Sequence, residues 1–163
     1  MTVARVCPRP LAVYAALSRR RSLTRLFSVA IRILIADDDF SIKRLLRRLI
    51  ENHAGWSVCG DAANGQEAVG KAAQLNPDVI VLDLAMPEKN GLQAAREISR
   101  KSPQIPLLLL TVQQVSRELT REALHAGFMG VVSKNTGAEV VRAIEALLKH
   151  QNFFQKVGAD AYA

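Results

Sequence analysis

Sulfur and aromatic residues are scarce in this 163-residue chain: two cysteines, one tryptophan, two tyrosines and five phenylalanines. Cys7 and Cys59 form no CxxC and no metal-ligand spacing, which excludes a disulfide scaffold and a zinc site and fits a reducing cytosol. Long apolar runs are missing too. The best candidates are broken by Arg32, by the aspartates after Ala36 or by prolines, well short of the roughly 18 to 20 residues a membrane span requires. Acid is absent from residues 1–30, which hold Arg5, Arg9, Arg19, Arg20, Arg21 and Arg25. That segment therefore accounts for +6 of the formal net charge of +7, and the rest of the chain is nearly neutral, with 16 basic and 15 acidic groups. A basic surface for nucleic acid is not a property of the remainder.

What is present suits one globular domain: 49% of the residues are hydrophobic and 23% charged. Residues 1–30 have no clean amphipathic period and are set aside as a basic N-terminal extension, disordered or the product of an over-extended gene start, with Val29 as an alternative first residue. A transit peptide and a basic arm touching phosphates or anionic lipid are the functional alternatives. A secretory signal fits poorly, because the arginine run follows the apolar stretch Leu11 to Leu17 instead of preceding it.

From residue 31 the pattern alternates. Ile31 to Ala36 reads as a buried strand stopping at Asp37-Asp38-Asp39. Ile42, Leu45, Leu46, Leu49 and Ile50 then recur at helical spacing with basic residues between them. Trp56 to Cys59, Val79 to Leu82, Ile105 to Leu110 and Val131-Val132 are the further strands. Gly65 to Leu75, Leu92 to Ser102, Ser116 to Ala126 and the face Val140, Val141, Ile144, Leu147, Leu148 are the further helices. Five strand-helix repeats with short loops predict a doubly wound α/β fold, a five-stranded parallel sheet with helices on both faces. Ligands of such sheets bind outside the carboxyl ends of the strands.

Polar groups gather at those ends: Asp37, Asp38 and Asp39 after the first strand, Asp83 after the third, Thr111 after the fourth, and Lys134 after the fifth. If the first and third strands are neighbours, at least three carboxylates converge, and each like-charge pair at 4 Å costs about 4 kcal/mol at an effective dielectric near 20. A hard divalent cation, Mg²⁺ foremost, with Lys134 as a fixed cation, offsets that repulsion and makes a pocket suited to a phosphoryl group. Asp39 and Asp78 read as turn or cap residues. His53, His125 and His150 lack metal spacing and read as surface or helix-end residues.

These pieces, ILIADD, DVIVLDLAMPEKNG, LLLLT and AGFMGVVSK, resemble the response-regulator receiver domain of two-component signalling over residues 31 to about 150, with 151–163 as a C-terminal tail. The resemblance implies the flavodoxin-like strand order 2-1-3-4-5. It makes Asp83 the phosphoacceptor, and it gives Mg²⁺ the ligands Asp38, Asp37 (through water), Asp83 and the backbone carbonyl of Ala85. Thr111 and Lys134 then bind the phosphoryl oxygens, while Pro87 and Gly91 shape the loop. A sensor histidine kinase and a downstream protein are the implied partners, with homodimerisation left open. No catalytic activity, no membrane partner and a cytoplasmic location go with it. The sequence also departs from the family pattern. Val131 stands where an aromatic switch residue is usual, Val112 where a smaller residue follows the Thr, Lys89 where an apolar residue is usual, and Asn135 where proline follows the Lys. Val112 and Val131 are thus the switch and gating positions.

The stretch Ala143 to Phe154 resembles the start of the linker in the subfamily carrying a helix-turn-helix output domain, but 13 residues after His150 are too few for that module. A stand-alone receiver or the remnant of a longer regulator is expected, with no nucleic-acid partner unless the arginine arm supplies one. That exception is the alternative function, a truncated or arm-dependent DNA-binding regulator. A phosphatase of the haloacid-dehalogenase type would require a second Asp where Ala85 stands.

Overall fold

The computed structural model describes residues 30–155. The elements are β1 (Ile31–Ala36), α1 (Phe40–Glu51), β2 (Trp56–Ala62), α2 (Gly65–Leu75), β3 (Val79–Asp83), α3 (Gly91–Lys101), β4 (Leu107–Thr111), α4 (Arg117–Ala126), β5 (Gly130–Ser133), α5 (Gly137–Leu148) and β6 (Phe153–Phe154). All strand pairs are parallel, in the order β2-β1-β3-β4-β5-β6. The expected order of five strands is therefore present, and a sixth extends it. Phe153-Phe154, read from the sequence as part of a tail, pairs with Gly130 and Val131 of β5. The expected N-terminal extension lies, up to residue 29, outside the described residues, as does the tail from residue 156.

Alternation along each strand divides the core into two layers. Leu34, Ala36, Ile80, Leu82, Leu107 and Leu109 face α2, α3 and α4, packing on Ala68, Ala72, Ala94, Ala95, Ile98 and Ala123. Their neighbours Ile33, Ile35, Val79, Val81, Leu108 and Leu110 face α1 and α5, packing on Leu46, Ile50, Ile144 and Leu147. Strands β3 and β4 are buried throughout, and each large apolar side chain so placed is worth about 1.5 to 3 kcal/mol relative to exposure. Small alanines on α2 and α3 let those helices sit close to the sheet.

Two strand boundaries and one helix-face assignment differ from the sequence expectation. Strand β2 runs on to Ala62 because a bulge between Ile33 and Leu34 re-registers β1 from Val58 to Gly60. Strand β4 begins at Leu107, after Pro106, whose carbonyl accepts from the Ile80 amide while its missing N–H is not required. Leu45, assigned to the apolar face of α1, is 61% exposed; the inward positions are Leu46 and Ile50. Among the described residues no helix is long and apolar enough to cross a membrane.

Candidate functional site

Register brings the polar strand ends level. Ala36 pairs with Leu82, so Asp37 emerges beside Asp83; Thr111 pairs with Ser133, and the Lys134 amide donates to the Thr111 carbonyl at 2.8 Å. Four separate elements thus deliver Asp37, Asp83, Thr111 and Lys134 to one edge of the sheet. Asp37, Asp83 and Thr111 are buried, Asp38 is exposed at the lip, and carboxylate oxygens of Asp37, Asp38 and Asp83 lie within 4.8 Å of one another.

The Lys134 ammonium bridges the two buried acids, 2.5 Å from Asp37 Oδ2 and 3.0 Å from Asp83 Oδ1. Desolvation raises the Asp83 carboxyl above the usual carboxylate range; Lys134 pulls it back and the Asp37 charge adds to the rise. Burial alone would lower Lys134, but its hydrogen bonds to Asp37 and then Asp83 outweigh that and hold it above the ordinary lysine value. One ammonium faces three carboxylates, which leaves an excess of negative charge. A cluster of hard oxygen donors with that excess fits a divalent cation such as Mg²⁺.

The surrounding loops are shaped around this pocket. The Asp37 carboxylate accepts from the Asp39 amide at 2.9 Å, while the Asp39 side chain accepts from the Ser41 and Ile42 amides as the N-cap of α1. Asp39 is a cap, in accord with expectation. Ala85 lies exposed two residues beyond Asp83. Past it, Glu88 takes a positive φ of 64° in a tight three-residue turn closed by the Lys89 amide on the Pro87 carbonyl. A Cβ at Gly91 would overlap the Asp83 carbonyl oxygen, so this close approach requires glycine. Asn90 and Gln93 then form a capping box that starts α3. The unusual Lys89 is accounted for by an ion pair with Glu97, whose carboxyl is held down to about 2 by hydrogen bonds from Lys101 and from Lys89.

Thr111 Oγ1 accepts from the Gln113 amide at 3.0 Å. Val112 is 69% exposed and lines, with Ser133, Asn135 and Gln155, a cavity of about 380 Å³ beside the acidic pocket. Val131 is wholly buried in the α2–α4 layer, with Phe154 of β6 as its strand partner and packed on the same layer. His53 stays away from the pocket; it stacks on Trp56 at 3.9 Å and faces Glu145. One contact next to the site had no sequence signal: Gln155 Oε1 accepts from the Ser133 amide at 2.8 Å.

A family model, the response regulator receiver domain, matches residues 33–146. The chemotaxis protein CheY of Thermotoga maritima is 35% identical over 118 residues, covering 72% of this chain and 95% of CheY. A protein-glutamate methylesterase/protein-glutamine glutaminase of Alkalilimnicola ehrlichii is 38% identical over 104 residues, 64% of this chain but 27% of that protein. The chain thus spans about a quarter of the methylesterase. Among solved structures, a LuxR-family two-component response regulator from an Aurantimonas species superposes with a TM-score of 0.73 at 34% identity, covering 76% of this chain and 89% of the other. With the parallel sheet, its strand order and the acidic edge already in place, these similarities make the chain a member of the response regulator receiver family of two-component systems.

Proposed function

We propose that this receiver is the phosphoacceptor of a two-component phosphorelay, modified on Asp83 by a sensor histidine kinase and acting through phosphorylation-dependent binding of a downstream protein. The observation that carries this is the buried Asp37–Lys134–Asp83 bridge with Asp38 at its lip, at the carboxyl edge of the sheet. Asp37 and Asp83 both touch the lysine, and Asp83, which ends β3 and stands at the phosphoacceptor position of the family pattern, is the nucleophile. An Asp83 oxygen attacks the phosphorus of a phosphohistidine, a P–O bond forms as the P–N bond breaks, and the imidazole leaves carrying the electron pair. The product is an acyl phosphate.

Asp37, Asp38 and Asp83, with the Ala85 carbonyl, would hold Mg²⁺, which when bound supplies positive charge to the phosphoryl oxygens. Lys134 contributes the fixed positive charge and Thr111 a hydroxyl donor for those oxygens. Burial raises the Asp83 carboxyl and the Lys134 ammonium beside it lowers it, so positive charge near Asp83 favours the ionised nucleophile. The domain then has no substrate of its own to turn over: it is a switch whose product remains attached, in the cytoplasm where the kinase domain works.

The test is intact-mass spectrometry after incubation with acetyl phosphate and Mg²⁺. One added phosphoryl group is expected on the wild type and none on Asp83→Asn. Uptake by Asp83→Asn at the wild-type rate and stoichiometry would place the acceptor elsewhere.

A further inference from the structure

Strand β6 is held to the sheet by few bonds, arranged with a regular spacing. The Phe153 amide donates to the Met129 carbonyl at 2.9 Å and the Gln155 amide to the Val131 carbonyl at 3.1 Å. The next polar group along the same edge of β5 is the Ser133 amide, two residues further on, and it is met by the side chain of Gln155. An amide side chain thereby adds a further rung where the two-residue strand has ended. The edge is built to receive β6: a Cβ at Gly130 would lie 2.7 Å from the Phe153 carbonyl oxygen, so β5 presents no side chain where the strand crosses. Phe153 and Phe154 are half-buried, one packing on the α1–α5 layer and the other on the α2–α4 layer.

The rung from Gln155 adjoins the acidic pocket. Ser133 is the strand partner of Thr111 and is bonded through a single peptide to Lys134, whose ammonium bridges Asp37 and Asp83. Without Gln155 the Ser133 amide would sit on an open sheet edge with water as its partner, and the last residue of β5 would fray more readily.

We propose that Gln155 is a positioning residue for Lys134, and that docking of β6 and phosphorylation of Asp83 favour one another; the second half rests on the phosphoacceptor function proposed above. The lysine must hold its ammonium over the pocket when Asp83 is modified, and the rung from Gln155 restrains the peptide from which its side chain springs. Linkage makes the effect reciprocal: a docked strap that favours the phosphorylated state is itself held more tightly in that state.

The experiment compares wild type, Gln155→Leu, which keeps the bulk and loses the acceptor, and Gln155→Glu, which keeps the acceptor. Amide hydrogen exchange and acetyl-phosphate uptake with Mg²⁺ are measured on the full chain, together with the melting temperature. Gln155→Leu is expected to speed exchange at Ser133 and Lys134 by roughly tenfold, the scale of one hydrogen bond, and to slow uptake severalfold, with the β3 amides and the melting temperature unmoved. Gln155→Glu should restore protection at Ser133, and phosphorylating the wild type should slow exchange at Phe153 and Gln155. Unchanged Ser133 exchange in Gln155→Leu overturns the positioning role; faster exchange with unchanged uptake overturns the coupling. If the wild type takes up no phosphoryl group, the phosphoacceptor function and the coupling fall together, and the exchange comparison alone decides whether Gln155 positions the end of β5.

Discussion

Asp38 is the carboxylate whose removal separates stability from function. It is exposed and makes no ion pair among the described residues, yet it lies within 4.8 Å of two buried acids. A like-charge pair at that spacing costs about 0.9 kcal/mol even at the permittivity of water. Asp38→Asn should therefore raise the melting temperature by about 2 to 4 °C in a chelator, and the advantage should shrink or reverse in saturating Mg²⁺, when the wild type regains binding energy. Calorimetry with and without the ion checks this, and equal shifts in both would mean that Asp38 does not contribute to the cation site. Val112 carries a second prediction at this scale. Branched bulk after Thr111, at the rim of the cavity shared with Ser133 and Gln155, should obstruct the water that hydrolyses the acyl phosphate. The phosphorylated wild type should then decay more slowly than Val112→Ala at fixed Mg²⁺; equal first-order rates would remove Val112 as a gate.

Among the elements, α1 shows how a run of three aspartates is divided between different tasks. Asp37 belongs to the strand end and the pocket, Asp38 to the lip, and Asp39 to the helix, whose first amides it caps. Replacing Asp39 by Ala should cost about 1 kcal/mol of stability, the ordinary value of an N-cap, since the Asp39 backbone amide that binds Asp37 survives the change. Urea denaturation should report that loss while the rate of phosphorylation stays within about twofold of wild type. A phosphorylation defect comparable to that of an Asp37 or Asp38 variant would show that Asp39 reaches the phosphoryl group after all. Helix α3 begins with the same economy: Asn90 caps it through a box with Gln93 directly after the loop that Gly91 allows to close on Asp83.

For the whole molecule, charge and chemistry are segregated along the chain. The six arginines of residues 1–30 carry nearly all the net charge, whereas every group of the acidic pocket lies between Asp37 and Lys134. Deleting residues 1–28 should thus leave the melting temperature and Asp83 phosphorylation unchanged and abolish any salt-dependent retention on DNA. A large drop in melting temperature would show that the segment packs on the domain. At the other end, β6 covers the edge of β5 and leaves β2 and β6 as the outer strands of the sheet.

The alternation of apolar strands with amphipathic helices, and the polar residue closing each strand, were legible in the sequence because both follow from local periodicity and from the cost of burying a charge. Asp37, Asp38, Asp83, Thr111 and Lys134 could be named as one cluster for the same reason: a parallel sheet puts all its carboxyl ends on one edge. Pairing between distant segments decided the rest. The bulge that lengthens β2 depends on how β1 and β2 settle side by side, and the exposure of Leu45 depends on which arc of α1 meets the sheet. Phe153-Phe154 is too short to announce a strand by period, and it becomes one only because Met129, just before β5, and Val131 and Ser133 within it present a free edge and Gly130 leaves room. The bond from Gln155 to Ser133 spans 22 residues; no local pattern encodes it, because its partner is supplied by the sheet.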